Sequence, residues 1–461
     1  MPPTQPPRPT RRRFIKSALA GGAAAAVLPG LGTTADSRIL ARGPRTIRGT
    51  VPPSDRIGLA VIGAGGMGMA DVDTALKIPG VELVAACDIF DGRLEAAQER
   101  HGQIFTTRDY RKVLDRADVD AVIVGTPDHW HRPISVDALR AGKSVYCEKP
   151  MVHNIGEGEE LLRAEQESSQ VMQVGSQGMS SLGNEKARDL YEAGAIGELN
   201  YAEGFWARND PLGAWQYPIP EGASEETVDW PQFLGPAPDR PYDPLRVFRW
   251  RNYRDYGTGV AGDLFVHLFS SLHFVVSSPG PTRIQAAGGL RYWKDGREVP
   301  DVLLGVFDYP ETETHPGFNL SLRVNFVDGT SGSTFLRLVG SEGAMDVTWT
   351  EVVLRNNIAV DPMDAFSQEK IAEAAAADGG GLPPRSRMRP PAEVRYQVER
   401  GYRGAHVDHF FNFFEAMRGG PPVRQDATFG LRAAAPALAC NLSFFEDRIV
   451  RWDPGAMRLR G

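Results

Sequence analysis

The chain has 461 residues, enough for two domains, and its 42% hydrophobic and 24% charged content is ordinary for a globular protein. The formal net charge of −7, without a basic face, argues against nucleic acid or anionic lipid as a partner. Cys87, Cys147 and Cys440 stand in apolar segments without metal-ligand spacing, so we interpret them as buried core thiols and predict no metal site.

The first predicted element is an export signal. Thr10 to Lys16 read TRRRFIK, the twin-arginine pattern, followed by an apolar run too short to span a bilayer stably. A basic disordered tail would explain the arginines but not the apolar run. We therefore predict a signal peptide over residues 1–35, a linker over 36–55, engagement of the twin-arginine translocation machinery, and a periplasmic or otherwise exported protein that has no membrane contact after processing. The alternative is a cytoplasmic protein whose N-terminus only imitates a signal.

From Arg56 to about Gln173, short apolar runs alternate with amphipathic segments. The runs predict strands at IGLAVIG, VELVAACD, the short IF at Ile104, AVIVG, SVYC and VMQVG. Such alternation is typical of the α/β class with a doubly wound parallel sheet, and we predict a Rossmann domain over residues 56–177.

Beyond Gly178 the pattern changes. Runs of period two, such as NLSLRVNF and STFLRLVG, predict antiparallel strands, and HVDHFFNFFEAMRGG predicts a helix that ends at a glycine pair. We predict a second, α+β domain over residues 178–461, in which residues 372–391 form an exposed loop because they lack apolar periodicity.

A glycine-rich loop, GAGGMG, follows the first predicted strand and opens a predicted helix, as a dinucleotide-binding fingerprint requires. Gly63 permits the tight turn, Gly65 lets the backbone approach a pyrophosphate, and Gly68 lets helix and strand pack closely. Gly66 and Met67 complete the predicted phosphate-binding loop.

Asp88 ends the second predicted strand, where a carboxylate accepts hydrogen bonds from ribose hydroxyls and repels a 2′-phosphate. This predicts NAD as the cofactor. NADP is the alternative because Arg93 is near in sequence, and Asp88 could instead cap the helix that follows it.

Two further motifs follow the fourth and fifth strands. TPDHWH places Thr126, Pro127 and His131, and CEKP places Glu148 and Lys149, at carboxyl ends of strands, where ligands bind in such sheets. We predict that these residues bind the cofactor and that Lys149 is an acid/base candidate. A surface lysine paired with Glu148 is the alternative.

Together, the glycine loop, the acidic end of the second strand, TPxxxH and EKP resemble the Gfo/Idh/MocA oxidoreductases over nearly all of the predicted mature chain. The resemblance implies a Rossmann domain joined to an α+β domain whose open, largely antiparallel sheet often forms a subunit interface. It therefore also implies a dimer or tetramer. Lys149 takes the family's place beside the nicotinamide and substrate, and Pro150 is expected to follow a cis peptide.

The family also has an aspartate and a histidine four residues apart on a helix facing the cleft. Asp263 and His267 have that spacing, which puts both on one helix face, so Asp263 would hold His267 as a general base. The alternative is a buried pair that only satisfies itself. The chain departs from the family pattern at Phe265, Ser270 and Gln177, so the substrate cannot be copied from known members.

Tryptophans and arginines cluster before this helix, and we expect one or two of them to line a carbohydrate site: Trp206, Trp215, Trp230, Trp250, Arg208, Arg249 and Arg251.

These residues predict hydride transfer from a sugar, polyol or glycoside to NAD. His267 is the base and Lys149 holds the oxygen, with Lys149 as base the alternative. Free NAD is scarce outside the cytoplasm, so an exported enzyme is expected to carry and recycle its cofactor. A redox-neutral glycosidase or lyase that oxidises its substrate transiently, and a non-catalytic sugar or nucleotide sensor, remain alternatives.

Overall fold

The computed structural model describes residues 38–39, 52, 55–329, 334–356, 373 and 392–460. The predicted signal peptide (1–35), most of the predicted linker (36–55) and all but residue 373 of the predicted loop (372–391) lie outside the described residues. Within the described ranges, no helix has both the length and the apolar character needed to cross a bilayer. The three cysteines are buried free thiols, as predicted.

After a short strand, β1 (Arg38–Ile39), six strands form a parallel sheet. They are β2 (Ile57–Ile62), β3 (Val81–Cys87), β4 (Phe105–Thr107), β5 (Ala121–Val124), β6 (Ser144–Glu148) and β7 (Met172–Gly175). The spatial order is β4-β3-β2-β5-β6-β7, so the direction of winding reverses between β2 and β5. Every residue of β5 and β6 is buried, as expected for strands covered on both faces. The predicted doubly wound sheet is confirmed, and ligands of such sheets bind at the carboxyl ends beside this reversal.

Helices cover this sheet and the sheet that follows. Those between the parallel strands are α1 (Gly66–Ala75), α2 (Asp91–His101), α3 (Tyr110–Leu114), α4 (His131–Arg140) and α5 (Gly158–Glu167). The later ones are α6 (Leu182–Glu192), α7 (Trp230–Leu234), α8 (Pro244–Phe248), α9 (Val266–Val276), α10 (Ala405–Met417) and α11 (Ala427–Glu446). A single π-helical turn, Ala261–Phe265, leads directly into α9.

The second sheet has eleven strands and is largely antiparallel, also as predicted. Its further strands are β8 (Leu199–Ala207), β9 (Arg283–Gly289), β10 (Val302–Tyr309), β11 (Phe318–Asn325), β12 (Thr334–Gly340), β13 (Gly343–Val347), β14 (Glu351–Asn356), β15 (Ala392–Val398), β16 (Val450–Asp453) and β17 (Arg458–Arg460). The order is β1-β15-β14-β13-β12-β8-β11-β10-β9-β16-β17. Alternation along β10 buries Leu303 and Phe307 and exposes Leu304 and Val306, so one sheet face packs on helices.

Residues 208–258, here called the covering segment, connect β8 to the π-helical turn and contain α7 and α8. The segment pairs with the chain just after β3: Phe90 forms a β-bridge with Val228, and the Asp229 amide donates to Ile89 O at 2.8 Å. Phe90, Trp230 and Phe233 belong to one buried aromatic cluster there. The covering segment therefore docks on the parallel sheet beside Asp88. The predicted boundaries at residues 56, 177 and 178 stay predictions.

Candidate functional site

A cleft of about 660 Å³ lies at the carboxyl ends of the parallel strands and is also lined by the covering segment and by residues of the second sheet and α9. Eleven of the predicted site residues line it: Gly63, Gly65, Gly66, Met67, Asp88, Thr126, Pro127, Glu148, Lys149, Asp263 and His267. The structure therefore brings the predicted cofactor loop and the predicted catalytic residues to one cavity. Two predicted cofactor-binding residues, Gly68 and His131, are not among its lining residues.

The glycine loop has the geometry of a phosphate cradle. Gly63 has φ +93°, and a Cβ there would come within 2.7 Å of the Gly125 and Thr126 backbone. A Cβ on Gly68 would lie 2.0 Å from Gly63 O, so Gly68 serves close packing. A Cβ on Gly66, in contrast, would meet nothing within 4 Å.

Two hydrogen-bonding groups near this loop have no partner within the protein, and a bound nucleotide could provide one for each. Helix α1 begins at Gly66 without a side-chain cap and without an acidic residue in its first turn, which leaves amides and positive potential for an anion. The hydroxyl of Thr126 is buried without a hydrogen-bond partner. Loop and hydroxyl thus fit a dinucleotide pyrophosphate.

Asp88 is buried and lies in the cleft wall. Its Oδ1 accepts the Phe90 amide at 3.0 Å, and Arg93 Nη1 lies 3.4 Å from both of its carboxylate oxygens. The carboxylate does organise the turn before α2, but Phe90 and not Asp88 is the N-cap of that helix. Arg93 stands where the sequence suggested, close enough to bear on the choice between NAD and NADP.

His131 has a different position from the one predicted. Its ring is fully buried, with Nδ1 2.7 Å from Pro150 O and Nε2 2.9 Å from Thr126 O. Burial lowers the pKa of His131. The Lys149–Pro150 peptide is cis, as expected. His131 therefore links the loop after β5 to the loop after β6 from behind the cleft wall and positions both.

Lys149 and Asp263 form an ion pair in the cleft. Lys149 Nζ donates to Asp263 Oδ1 at 2.8 Å and to Asp263 O at 2.9 Å, while Arg251 Nε lies 3.4 Å from the same Oδ1. Burial alone would raise the pKa of Asp263, but Lys149, Arg251 and Arg208 outweigh it and hold that pKa well below its usual range. The surface-lysine alternative, in which Glu148 is the partner, does not describe this geometry.

Asp263 does not hold His267, contrary to the expectation from their spacing. Asp263 lies in the π-helical turn just before α9, and its carboxylate contacts Lys149 and Arg251 instead. The His267 ring stacks on Trp206, with centroids 5.2 Å apart, and meets Trp349 edge-on at 6.0 Å. Its Nδ1 is buried without a hydrogen-bond partner.

The environment of His267 favours the neutral imidazole. Burial and then the charge of Lys149 lower the pKa of His267 well below its ordinary value, although Asp263 opposes the shift. An unprotonated ring nitrogen in the cleft can accept a proton at neutral pH.

Glu148 and Asp71 form a second buried group, of which sequence reasoning missed Asp71. Glu148 Oε1 accepts Gln177 Nε2 at 2.7 Å, and Oε2 accepts the Lys149 amide at 3.3 Å. Burial raises the pKa of Glu148 to about 7 against the effect of Lys149. Burial and Glu148 raise the pKa of Asp71, on α1, well above its usual value. Asp71 could have been recognised from the sequence, because it follows the glycine fingerprint by three residues and lies on an otherwise apolar face of the predicted helix.

More aromatic residues line the cleft than expected. Trp206, Trp215 and Trp250 do so with Arg208 and Arg251, whereas Trp230 and Arg249 do not. Three further lining residues were not predicted from the sequence, namely Tyr217, Trp349 and His406. Tyr217 lies in the covering segment, Trp349 lies between β13 and β14, and His406 lies at the start of α10.

Part of the chain is similar to known oxidoreductases and to a glycosyl hydrolase. Residues 57–176 match the family described as oxidoreductase family, NAD-binding Rossmann fold. The chain is 28% identical over 211 residues to glycosyl hydrolase family 109 protein 1 of Shewanella sp. (strain ANA-3), covering 42% of this chain and 45% of that protein. It is 32% identical over 139 residues to inositol 2-dehydrogenase of Salmonella typhimurium, covering 29% of this chain and 41% of that protein. The chain thus spans less than half the length of these curated relatives.

Solved structures share the fold over most of the chain. Levoglucosan dehydrogenase in complex with NADH is 18% identical with a TM-score of 0.61, covering 86% of this chain and 99% of that one. The WlbA dehydrogenase of Bordetella pertussis, in complex with NADH and UDP-GlcNAcA, is 16% identical with a TM-score of 0.62, covering 86% and 98%. At such identities the likeness establishes the two-part fold.

Proposed function

We propose, from the premise that residues 57–176 belong to the Gfo/Idh/MocA oxidoreductase family, that this protein is an NAD-dependent oxidoreductase acting on a sugar, polyol or glycoside. The proposal rests on the observation that three features line one cleft. These are the glycine loop, the Lys149–Asp263 ion pair, and a His267 ring whose surroundings favour the neutral form.

The cofactor would lie along the carboxyl ends of the strands. Gly63, Gly65, Gly66 and Met67 would hold the pyrophosphate, and Asp88 would bind the ribose hydroxyls. NAD supplies the hydride acceptor when bound. The carboxylate of Asp88 supports NAD over NADP, since a 2′-phosphate would meet a negative charge, and Arg93 only partly offsets it at 3.4 Å.

The residues of the chain divide the proton chemistry between them. His267 takes the proton of the substrate hydroxyl, because its ring is held neutral. Lys149, kept in the cleft by Asp263, donates to the same oxygen and stabilises negative charge as the proton leaves. The ion pair supports Lys149 as this cation and His267 as the base, over the reverse assignment.

The covering segment supports a tightly held cofactor. Phe233, Val247 and Phe248 line the cleft together with Asp88, on the side where the adenosine would lie. Asp128 Oδ2 accepts the amide of Thr258 at 2.9 Å and its hydroxyl at 2.7 Å, which secures the end of the segment to the loop after β5. A dinucleotide enclosed in this way would dissociate slowly.

Such retention would suit an exported enzyme. We propose periplasmic or otherwise exported localisation through the twin-arginine pathway, supported by TRRRFIK at residues 10–16. Replacing Arg11 and Arg12 by Lys should keep the protein in the cytoplasm, and an unchanged distribution between compartments would remove this part of the proposal.

A second candidate function is a redox-neutral glycosidase, in which oxidation of the substrate is transient and reversed within the same site. It is favoured by the similarity to glycosyl hydrolase family 109 proteins, which spans 42% of the chain. A non-catalytic sensor, in contrast, has no need of Lys149, Asp263 and His267 in one cleft.

The test is to follow absorbance of NADH in the NAD-loaded protein with free sugars, polyols and p-nitrophenyl glycosides. Lys149→Ala and His267→Ala should each slow reduction of NAD by about a hundredfold or more while leaving NAD binding intact. His101→Ala, at the end of α2 away from the cleft, is the control. Release of p-nitrophenol without net NADH would favour the glycosidase, and near-full activity in both variants would refute the catalytic assignment.

A further inference from the structure

Resting on the proposed function, we infer that the substrate carries a carboxylate, as a uronic acid or a glycoside of one does, and that Arg208 binds it.

The inference starts from an imbalance of charge. Three cations, Lys149, Arg208 and Arg251, line the part of the cleft around the catalytic residues. Asp263 is shared by Lys149 and Arg251 through one oxygen atom, Oδ1. Glu148 is engaged by Gln177 and by the Lys149 amide and has a raised pKa, and Asp128, whose charge acts on Arg251, accepts hydrogen bonds from Thr258. A neutral sugar would leave Arg208 without an anionic partner, whereas a carboxylate would supply one.

Arg208 is the cation left without an acidic partner. Among the described residues no carboxylate forms a salt bridge with it, and the polar contact of its side chain is Nη1 donating to Gly213 O at 3.0 Å. The guanidinium also lies over the Phe326 ring, with Cζ 5.7 Å from the centroid. These two contacts fix the side chain and leave donors for a planar anion, which a guanidinium binds in a forked geometry.

The place of Arg208 in the fold suits recognition of a sugar acid. It lies two residues beyond Trp206, whose ring stacks on His267, and both Trp206 and Arg208 line the cleft. Trp349 and Tyr217 add aromatic surface to the same wall. Aromatic rings bind the C–H faces of sugars, so a sugar whose hydroxyl is placed to give its proton to His267 would carry its carboxylate towards Arg208.

The catalytic chemistry does not account for Arg208. Negative charge that develops on the reacting oxygen is met by Lys149, with Arg251 beside it on Asp263. Arg208 contacts neither Asp263 nor Lys149 among the hydrogen bonds of the described residues, although its charge lowers the pKa of both Asp263 and His267. A separate role in binding explains a cation at this position.

The experiment compares substrates that differ in one group. With the NAD-loaded protein, initial rates and affinities are measured for D-glucuronate, D-glucuronamide and D-glucose, and for D-galacturonate and D-galactose. The corresponding methyl glycosides are tested as well, with binding followed by tryptophan fluorescence. We expect the uronates to bind ten- to a hundredfold more tightly than the amide or the parent sugar, the range typical of a charge-assisted hydrogen bond.

Variants then assign the preference to Arg208. Arg208→Gln should remove the preference by raising KM for uronates at least tenfold more than KM for the matched neutral sugars, and Arg208→Lys should retain part of the preference. Arg188→Gln, which breaks an exposed pair with Glu192 on α6, is the matched control. The comparison of glucuronate with glucuronamide uses the unaltered protein, so it stands even if a variant fails to fold.

The outcomes separate this inference from the proposal on which it rests. Neutral sugars that are turned over as well as uronates would overturn the carboxylate inference and leave the oxidoreductase proposal standing. A uronate preference that survives in Arg208→Gln would overturn the assignment to Arg208. Failure of every sugar, acidic or neutral, to bind or to reduce NAD in a protein that holds NAD would overturn both.

Discussion

At the scale of single residues, the buried carboxyl groups of Asp71 and Glu148 make stability depend on pH in an unusual direction. Both pKa values are raised in the folded protein, that of Glu148 to about 7, by burial in each case. A raised carboxyl pKa contributes stability below the pKa of the unfolded chain, near 4, and this contribution is lost as pH rises through the folded value. The free energy of unfolding should therefore fall as the pH rises from about 5 to about 8.

Asp71→Asn should reduce this loss, because an amide does not need to bind a proton in order to be buried. The midpoint of urea unfolding, measured at several pH values, should fall less steeply from pH 5 to pH 8 than in the unaltered protein. Each pH unit over which proton binding differs by one corresponds to about 1.4 kcal/mol. Asp73→Asn is the control, since Asp73 lies on the same helix in a surface pair with Arg100. Equal slopes for Asp71→Asn and the unaltered protein would show that Asp71 holds no proton.

Sequence spacing predicted that three candidate catalytic residues share one cleft, but it did not predict their contacts. Lys149, Asp263 and His267 were predicted for one cleft, and the structure places them there. The spacing of four put both Asp263 and His267 in the cleft, but Lys149 and Arg251, which come from other segments of the chain, take the Asp263 carboxylate. His131 was predicted at the cofactor because it follows a strand, yet both its nitrogens face backbone carbonyls. A motif gives a residue's place in the chain, whereas its partners come from other segments that the fold brings beside it.

At the scale of elements, the covering segment is the part of the site that the sequence predicted least. Its tryptophans and prolines indicated neither strands nor long helices, and its position follows from contacts far apart in sequence, such as Phe90 with Val228. The regular strands of the parallel sheet were predicted well, because a buried strand is recognisable from its own residues. A loop that gains its order by docking has no such local pattern.

Trp230→Ala tests whether docking of the covering segment retains the cofactor. Trp230 does not line the cleft, but it stacks on Phe233, which does, at 5.2 Å between centroids, and it donates from Nε1 to Arg240 O. Loss of a buried tryptophan typically costs about 3–5 kcal/mol locally, which should loosen the segment and release the dinucleotide at least tenfold faster. Protein purified without added nucleotide is denatured, and the NAD released is counted.

The unaltered protein should release close to one NAD per chain in that measurement, and Trp230→Ala much less. Trp293→Ala is a matched control, because Trp293 also donates from Nε1 to a backbone carbonyl, that of Phe326, and lies outside the cofactor side of the cleft. If the unaltered protein is empty and fails to bind NAD, the retained-cofactor proposal is wrong. If both variants keep their NAD, docking of the segment is not what retains it.

At the scale of the whole molecule, the eleven-stranded sheet has one face that no helix of the described residues covers in full. Leu304 and Val306 are 48% and 50% exposed on β10, and Phe205 and Phe335 form an edge-to-face pair on neighbouring strands at 6.3 Å. Arg337 bridges Glu203 and Asp346 across the same sheet. Apolar side chains among ordered ion pairs are typical of a protein interface, so we propose that the dimer or tetramer implied by the family resemblance forms through this face.

Val306→Lys should weaken that assembly, because a charge would be buried without a partner between two copies. Its cross-strand neighbours, Gln285 and Ser321, are uncharged and give the ammonium no carboxylate. Sedimentation velocity over a range of concentrations should show Val306→Lys as a monomer at concentrations where the unaltered protein is oligomeric. The dissociation constant of the assembly should rise at least tenfold. Leu212→Lys is the matched control, since Leu212 is 56% exposed and lies on the covering segment, outside the strands of the sheet. If Val306→Lys leaves the assembly intact while Leu212→Lys disrupts it, the interface lies on the covering segment. If the unaltered protein is a monomer at every concentration, the proposed assembly through the open sheet face is wrong.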